Sequence, residues 1–422
     1  MYTFYLMYIN FLQFAYNDGL NINYAGYDLY SLPLKEIRSS NRIVISFGCV
    51  LGVITYVISS AIFINEKAVI FKYLAINIPL MFVFCIITST ILAINKSTQY
   101  NMLNLILKVF TTLSILFFIL VRLVNVKTLL FADTLIRFLV VIFALIINRS
   151  IFFGERSNYK DSLRFIYKTC ASGISVLLII VISSLLLTWS RVLIEYSGTI
   201  SQYAIYSFGI SLVSIIITFA NTLGLVIFPM IKLIDNSKFK SLFVNLKVLI
   251  ENMCYIAFML ILPATYFIKG FLPNYSEITE YILYLVLWCF ALTKINLIIM
   301  PLYKSYRKEK KLLKYLFNGL LIIICVTIPS YTLIQQAKTI AVVVFVLLLG
   351  LEMFTENKLA KVVDAKISHV GSILTICVYI VTFELFDVVI ATIIYMVYYF
   401  VYFLINRKTI FSAIREIKNC KS

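Results

Sequence analysis

Charge is scarce in this sequence. Only 13% of its 422 residues are Asp, Glu, Lys or Arg, against about 25% in a soluble globular domain. Histidine is scarcer still: His369 is the single one. It has no Cys, Asp or Glu set at ligand spacing, which argues against a metal site or a histidine base, and it reads as an interfacial residue. The eight cysteines form no CxxC, and seven of them lie in or beside apolar runs, so they read as small packing residues. P-loop, GxSxG, HExxH and Gly-rich nucleotide motifs are all missing. These absences argue against an ATP-driven mechanism, and they give no catalytic residue and no cofactor. A cleavable signal peptide is not expected either, because Met1–Tyr16 lacks a basic n-region and no small-residue cleavage site follows.

What is present is apolar surface. Hydrophobic residues make up 62% of the chain and mean hydropathy is +0.98. They come in blocks such as Cys170–Trp189, Tyr203–Ile231 and Thr339–Met353. A bilayer core about 30 Å thick needs about 20 such residues per helix. The period-2 alternation of a membrane β-barrel is absent. The reading is an all-α integral membrane protein with about thirteen transmembrane helices, at 5–33, 43–64, 73–94, 102–123, 128–147, 169–190, 203–231, 248–268, 281–303, 315–334, 339–355, 368–383 and 388–405. The first segment is interrupted by Asn17, Asp18, Asn21, Asn23 and Asp28.

Loop charges test that count. With Lys35–Arg42 on the cytoplasmic side and one crossing per segment, 27 Lys and Arg fall on that side. Seven fall opposite: Lys67, Lys72, Arg122, Lys127, Arg191, Lys269 and Lys338. The net charge of +18 therefore reads as a positive-inside signal and not as a nucleic-acid surface. It predicts a multi-pass protein of the inner (cytoplasmic) membrane with a cytoplasmic C-terminus. Thirteen crossings put Met1 outside with no helix to carry it there, so a further helix is expected to precede this sequence. The expected organisation is an N-terminal helical lobe over 1–148, a basic cytoplasmic linker over 149–168, a C-terminal lobe over 169–334, extra helices over 335–405 and a cytoplasmic tail over 406–422. Outer loops of at most about a dozen residues leave no room for a folded outer domain.

Three stretches carry a family likeness. Arg191-Val192-Leu193-Ile194-Glu195-Tyr196-Ser197-Gly198 is followed by Tyr203-Ala204-Ile205-Tyr206-Ser207 and by Ile227-Phe228-Pro229-Met230-Ile231 at the helix end. Phe14-Ala15-Tyr16-Asn17-Asp18-Gly19-Leu20 contains Asp-x-Gly-Leu. Leu297-Ile298-Ile299-Met300-Pro301-Leu302 precedes the basic run Arg307–Lys311. In order and spacing this resembles the polysaccharide flippases, the O-antigen and capsule repeat-unit transporters of the multidrug/oligosaccharidyl-lipid/polysaccharide exporter superfamily. Ser190 stands where that family usually has an acid before Arg191. The resemblance implies two lobes around a central cavity in a fourteen-helix fold, of which this sequence holds all but the first helix. It also implies the substrate, an undecaprenyl-diphosphate-linked oligosaccharide used in capsular polysaccharide or lipopolysaccharide O-antigen biosynthesis. Membrane lipids and a polysaccharide polymerase are the other implied partners.

Ionisable side chains inside apolar segments are the natural site candidates, because they are costly there. Lys294, Arg137 and Lys108 are deep enough to face an anionic diphosphate as cavity cations. Each has a plainer reading. Asp133 lies one turn before Arg137 and can pair with it, Lys108 can snorkel to the interface, and Lys294 has no acid near it in sequence. Asp18 and Glu251 are candidates for a coupling ion, and Asn17 and Asn21 form a polar face beside Asp18 that serves as cavity wall or as helix–helix contact. Glu352, near its segment end, is expected to be solvated. Pro79, Pro263, Pro301 and Pro329 are expected to kink helices. The leading expectation is a secondary transporter and not an enzyme. The alternative is a membrane polymerase or glycosyl/acyl transferase of the same pathway, which the short outer loops disfavour. A multidrug exporter, which would favour an acidic cavity, and an inactive remnant are further alternatives.

Overall fold

A computed structural model describes residues 12–27, 31–62, 65–122, 125–197, 199–232 and 239–419. The described chain is all-α and divides into two compact units, 1–177 and 178–422. Among these residues, eleven helices are long and apolar enough to cross a membrane, and Val370–Leu385 is a shorter apolar helix. They match the second to thirteenth expected segments one for one. Of the first segment, residues 5–11 and 28–30 (Asp28 included) lie outside the described residues. The rest of it holds α1, Tyr16–Tyr24, nine residues long. At 1.5 Å per residue α1 is about 14 Å long, too short by itself to span about 30 Å of hydrocarbon.

The first unit contains α1, α2 (Leu34–Ile62), α3 (Asn65–Ala93), α4 (Ser97–Leu120), α5 (Val126–Ile147), the single turn α6 (Arg149–Phe152) and the first half of α7 (Tyr159–Ser197). The expected linker over 149–168 thus holds α6 and the opening turns of α7. It is tied to α2: Arg38 donates to the Ser150 carbonyl at 2.6 Å, and the Ser157 N–H donates to Ser39 Oγ at 3.0 Å. α5 starts at Asn125, whose Oδ1 accepts from the Lys127 N–H, while Thr128 Oγ1 accepts from the Asn125 N–H at 3.1 Å. One buried apolar cluster lies between α1, α2 and α3 and a second between α3, α4 and α5. Pro79 has no N–H, so the Ala75 carbonyl one turn earlier loses its helical partner. A Cβ on Gly52 would lie 2.7 Å from that carbonyl oxygen, so only glycine lets the two helices meet there.

The second unit contains the rest of α7, α8 (Ile200–Lys232), α9 (Phe239–Ala257), α10 (Ile261–Phe271), α11 (Ile282–Lys294), α12 (Met300–Ser305), α13 (Glu309–Ile334), α14 (Ala337–Val363), α15 (Val370–Leu385) and α16 (Val388–Asn419). Two prolines mark departures from α geometry. A 3₁₀ turn, Phe258–Leu260, separates α9 from α10 just before Pro263. The carbonyls of Phe258 and Tyr255 there accept the hydroxyls of Tyr379 (3.3 Å) and Tyr395 (3.2 Å). A π turn, Ile295–Ile299, joins α11 to α12 just before Pro301, and the Met300 N–H reaches back five residues to the Ile295 carbonyl. The helix running from α11 through the π turn to α12 is the axis of this unit. Every residue but one from Ile282 to Leu292 is buried, as is the whole π turn. Trp288 fixes it to α14 by donating to the Ala341 carbonyl at 3.0 Å.

Candidate functional site: a buried charge cluster in the second unit

The buried face of α9 runs Phe239, Leu242, Phe243, Lys247, Ile250, Glu251. This is the i, i+3, i+4 spacing of an inward stripe, with two charges on it. The buried face of α14 likewise runs Leu348, Leu351, Glu352, Thr355, Glu356, Leu359. α11 brings Lys294 between them at its last residue, where the π turn begins.

The result is a cluster of five charges. Lys294 is 0% exposed, and its Nζ donates to Glu251 Oε1 at 2.7 Å and to Glu356 Oε2 at 2.9 Å. Glu352 Oε1 is 2.8 Å from the same nitrogen. Lys247 donates to Glu356 Oε2 at 3.0 Å and lies 3.6 Å from Glu251. Ser372 on α15 donates to Glu251 Oε1 at 2.9 Å. Phe290 puts its ring 5.2 Å from the Lys294 ammonium. His369, between α14 and α15, sits with Nδ1 3.4 Å from Glu356 Oε2 and Nε2 3.1 Å from Asn357 Oδ1. Burying an ion costs several kcal/mol unless it is paired and hydrogen-bonded, and here the pairing is dense.

The structure thus brings two of the sequence candidates, Lys294 and Glu251, into one site. The others lie in the first unit, Asn17, Asp18 and Asn21 on α1, Lys108 on α4 and Arg137 on α5. Arg137 donates to Asp133 Oδ2 at 2.8 Å and lies 3.1 Å from Met81 Sδ. Lys108 is exposed on α4. Asn17 and Asn21 lie on α1: the Asn17 amide donates to Gln13 Oε1, Ser89 donates to Asn17 Oδ1 at 3.3 Å, and Asn21 Oδ1 is buried with no hydrogen-bond partner among the described residues. Asp18 is half-buried beside them. α1 meets α7 closely. A Cβ on Gly19 would strike the Thr169 carbonyl, and one on Gly173 would strike the Ala15 carbonyl.

Three expectations are corrected. Glu352 is 0% exposed instead of solvated, because α14 continues two turns past the expected segment end to Val363. Lys247 is no loop lysine of the basic side: α9 starts at Phe239 and carries it inside. His369 is held against a buried carboxylate and is more than an interfacial residue. Glu356 and Ser372 were not singled out at all. The signal available was the one-turn spacing of Lys247 with Glu251 and of Glu352 with Glu356, in helices otherwise apolar.

Among the described residues, no group of three or more His, Cys, Asp or Glu has a geometry that would hold a metal ion. The side chains of 225–230, part of the family-like helix end, lie outside those described.

The sequence matches no protein-family profile and no curated protein. The fold is more informative. A MATE protein crystallised in the straight conformation is similar over 86% of each chain, with a TM-score of 0.58 at 12% identity. A multidrug resistance MATE family transporter of the MOP superfamily, in its outward-facing conformation, gives 0.57 at 12% identity over 86% of this chain and 85% of that one. The Vibrio cholerae MATE transporter VcmN in its bent form gives 0.54 at 12% identity over 86% and 89%. At such identity the likeness is one of fold, and the chain has the all-helical membrane fold of the MATE transporters.

Proposed function

We propose that this protein is a secondary transporter that flips undecaprenyl-diphosphate-linked oligosaccharide repeat units across the cytoplasmic membrane by alternating access, with its C-terminus cytoplasmic. The product would feed O-antigen or capsular polysaccharide synthesis. The observation that carries the transporter reading is a titratable cluster buried on the axis helix of a MATE-type fold. Ionisable groups inside membrane helices are costly and mark ion or substrate paths. The oligosaccharide reading rests on the flippase-like stretches around Asp18, Arg191 and Pro301 and on the basic loops.

The charge balance divides the labour. Lys294 faces three carboxylates, so an added diphosphate would meet net negative charge there. We assign this cluster to energy coupling. The exposed Lys108, with Arg137 second, is the cation we assign to the diphosphate.

A deletion strain tests the substrate. Single lipid-linked repeats should accumulate on the cytoplasmic face, and export should return with the wild-type gene. Repeats that reach the outer face normally and merely fail to polymerise would overturn the flippase reading in favour of a polymerase. A second reading, export of organic cations, is favoured by the neighbour described as a multidrug resistance transporter. It predicts raised resistance to cationic drugs on expression, and unchanged lipid-linked intermediates on deletion.

A further inference from the structure

The cluster does not balance its own charge. Two ammonium groups, Lys247 and Lys294, face three carboxylates, Glu251, Glu352 and Glu356. All five are at least nine-tenths buried in the second unit. One uncompensated negative charge in such a place is expensive, and a single bound cation removes the cost. Two kinds of cation are available, a metal ion or a proton.

Geometry separates them. The centre between the carboxylates, where a metal ion would sit, is filled by the Lys294 ammonium, within 2.9 Å of an oxygen of each. The three carboxylates are also unequal. Glu356 Oε2 accepts from both ammonium groups. Glu251 Oε1 accepts from Lys294 and from Ser372, with Lys247 beside it. Among the described residues Glu352 pairs with Lys294 alone, at 2.8 Å, and no second donor reaches either of its oxygens. It is the least compensated carboxylate and sits at 0% exposure. The other titratable groups nearby bring no further charge: Cys254 and Tyr255 on α9 and Tyr402 on α16 are neutral thiol and phenol groups.

We propose that this cluster is a proton-binding site in which Glu352 takes up a single proton, with Lys294 as a built-in cation that excludes sodium and His369 as the route to water. The step is a simple addition: the Glu352 carboxylate gains a proton and becomes a neutral carboxylic acid. His369 is the partly exposed member, at 14% of its side chain, and it abuts Glu356 one helical turn from Glu352. Its ring can accept a proton from water on one nitrogen and release one from the other toward Glu356. This inference rests on the coupling role assigned to the cluster, but its test does not need transport.

Infrared difference spectroscopy of the purified full-length protein at neutral pH is that test. The wild type should show the carbonyl stretch of a buried protonated carboxyl. Glu352→Gln, nearly isosteric and neutral, should lose it, while Glu251→Asp, which keeps the cluster's charge, keeps it. Replacing sodium by choline should change neither the band nor the melting temperature. His369→Gln should slow the band's response to a pH jump at least several-fold and leave its final amplitude unchanged. No carboxyl band in the wild type, a band that survives Glu352→Gln, or a melting temperature that rises with sodium would each overturn the proposal. If the band behaves as expected while deletion strains export repeats normally, the proton site stands and the substrate reading fails.

Discussion

The two units solve the same problem in opposite ways. Each must hold polar groups inside a helix bundle that is otherwise apolar. The first unit does so with neutral amides and hydroxyls: Asn17 with Gln13 and Ser89, Asn23 with Ser172 at 2.8 Å, Tyr16 with Asn41 at 2.9 Å. Its internal ion pair, Arg137 with Asp133, is local to one turn of α5 and partly exposed. The second unit gathers five charges from three helices, with almost no exposure. A neutral hydrogen bond contributes about 1 kcal/mol and can be lost piecemeal. A desolvated charge network stands or falls as a whole. The comparison predicts that damage to the first unit is graded and damage to the second is abrupt.

The largest effect should come from Lys294. Lys294→Met leaves Glu251 and Glu356 with Lys247 alone, and removing one partner of a buried pair costs about 3–5 kcal/mol. Thermal unfolding in detergent should show a large drop in melting temperature; a small one would mean that the cluster is as loosely coupled as the amides of the first unit. Next comes Gly173→Leu, which forces α7 away from the Ala15 carbonyl of α1. Overpacking of this kind costs about 1–3 kcal/mol, and an unchanged melting temperature would show that the α1–α7 contact is soft. Asp133→Asn should cost about 1 kcal/mol, between the values for exposed and buried pairs. A loss as large as that of Lys294→Met would erase the contrast between units.

The smallest effect is a pH dependence at His369. Burial and the nearby Lys247 hold its pKa below the usual value of 6.5, with Glu356 opposing them. A histidine whose pKa is lowered in the fold binds its proton more readily when unfolded. Its contribution to stability is therefore complete above the ordinary histidine range and lost as pH falls through it. His369→Gln should flatten the stability profile between neutral and mildly acidic pH, and an unchanged profile would remove His369 from the cluster's electrostatics.

The membrane helices were legible because hydropathy is a local signal. Twelve of the thirteen expected segments appear as helices, and only their ends moved. The Asp133–Arg137 pair was legible for the same reason, since its partners are one turn apart. The cluster was not. Glu251 is 43 residues from Lys294, Glu356 is 62 beyond it, and Lys247 is 109 from Glu356. Such distances are closed only by tertiary packing. Segment ends did the rest of the damage: ending the segment of α14 at residue 355 set Glu352 at a boundary, and starting the eighth segment at 248 left Lys247 in a loop. Both helices reach past one end of their apolar runs, because the polar turns there are buried by neighbouring helices.

The π turn after Lys294 has a consequence for the genetics of this protein. A π turn is an α-helix holding one residue more than its turn requires. Deleting any one residue of Ile295–Ile299 would let the axis helix close into an uninterrupted α-helix, whereas deleting one elsewhere in α11 would leave the bulge and shift everything before it. Each residue turns an α-helix by about 100°. The first deletion would keep Lys294 facing its carboxylates and leave the helix beyond the turn in register, while the second would rotate the Ile282 end of the helix away from α14. Single-residue deletions along 282–305 should therefore be tolerated in one narrow window centred on the π turn, and a deletion scan would map that window directly.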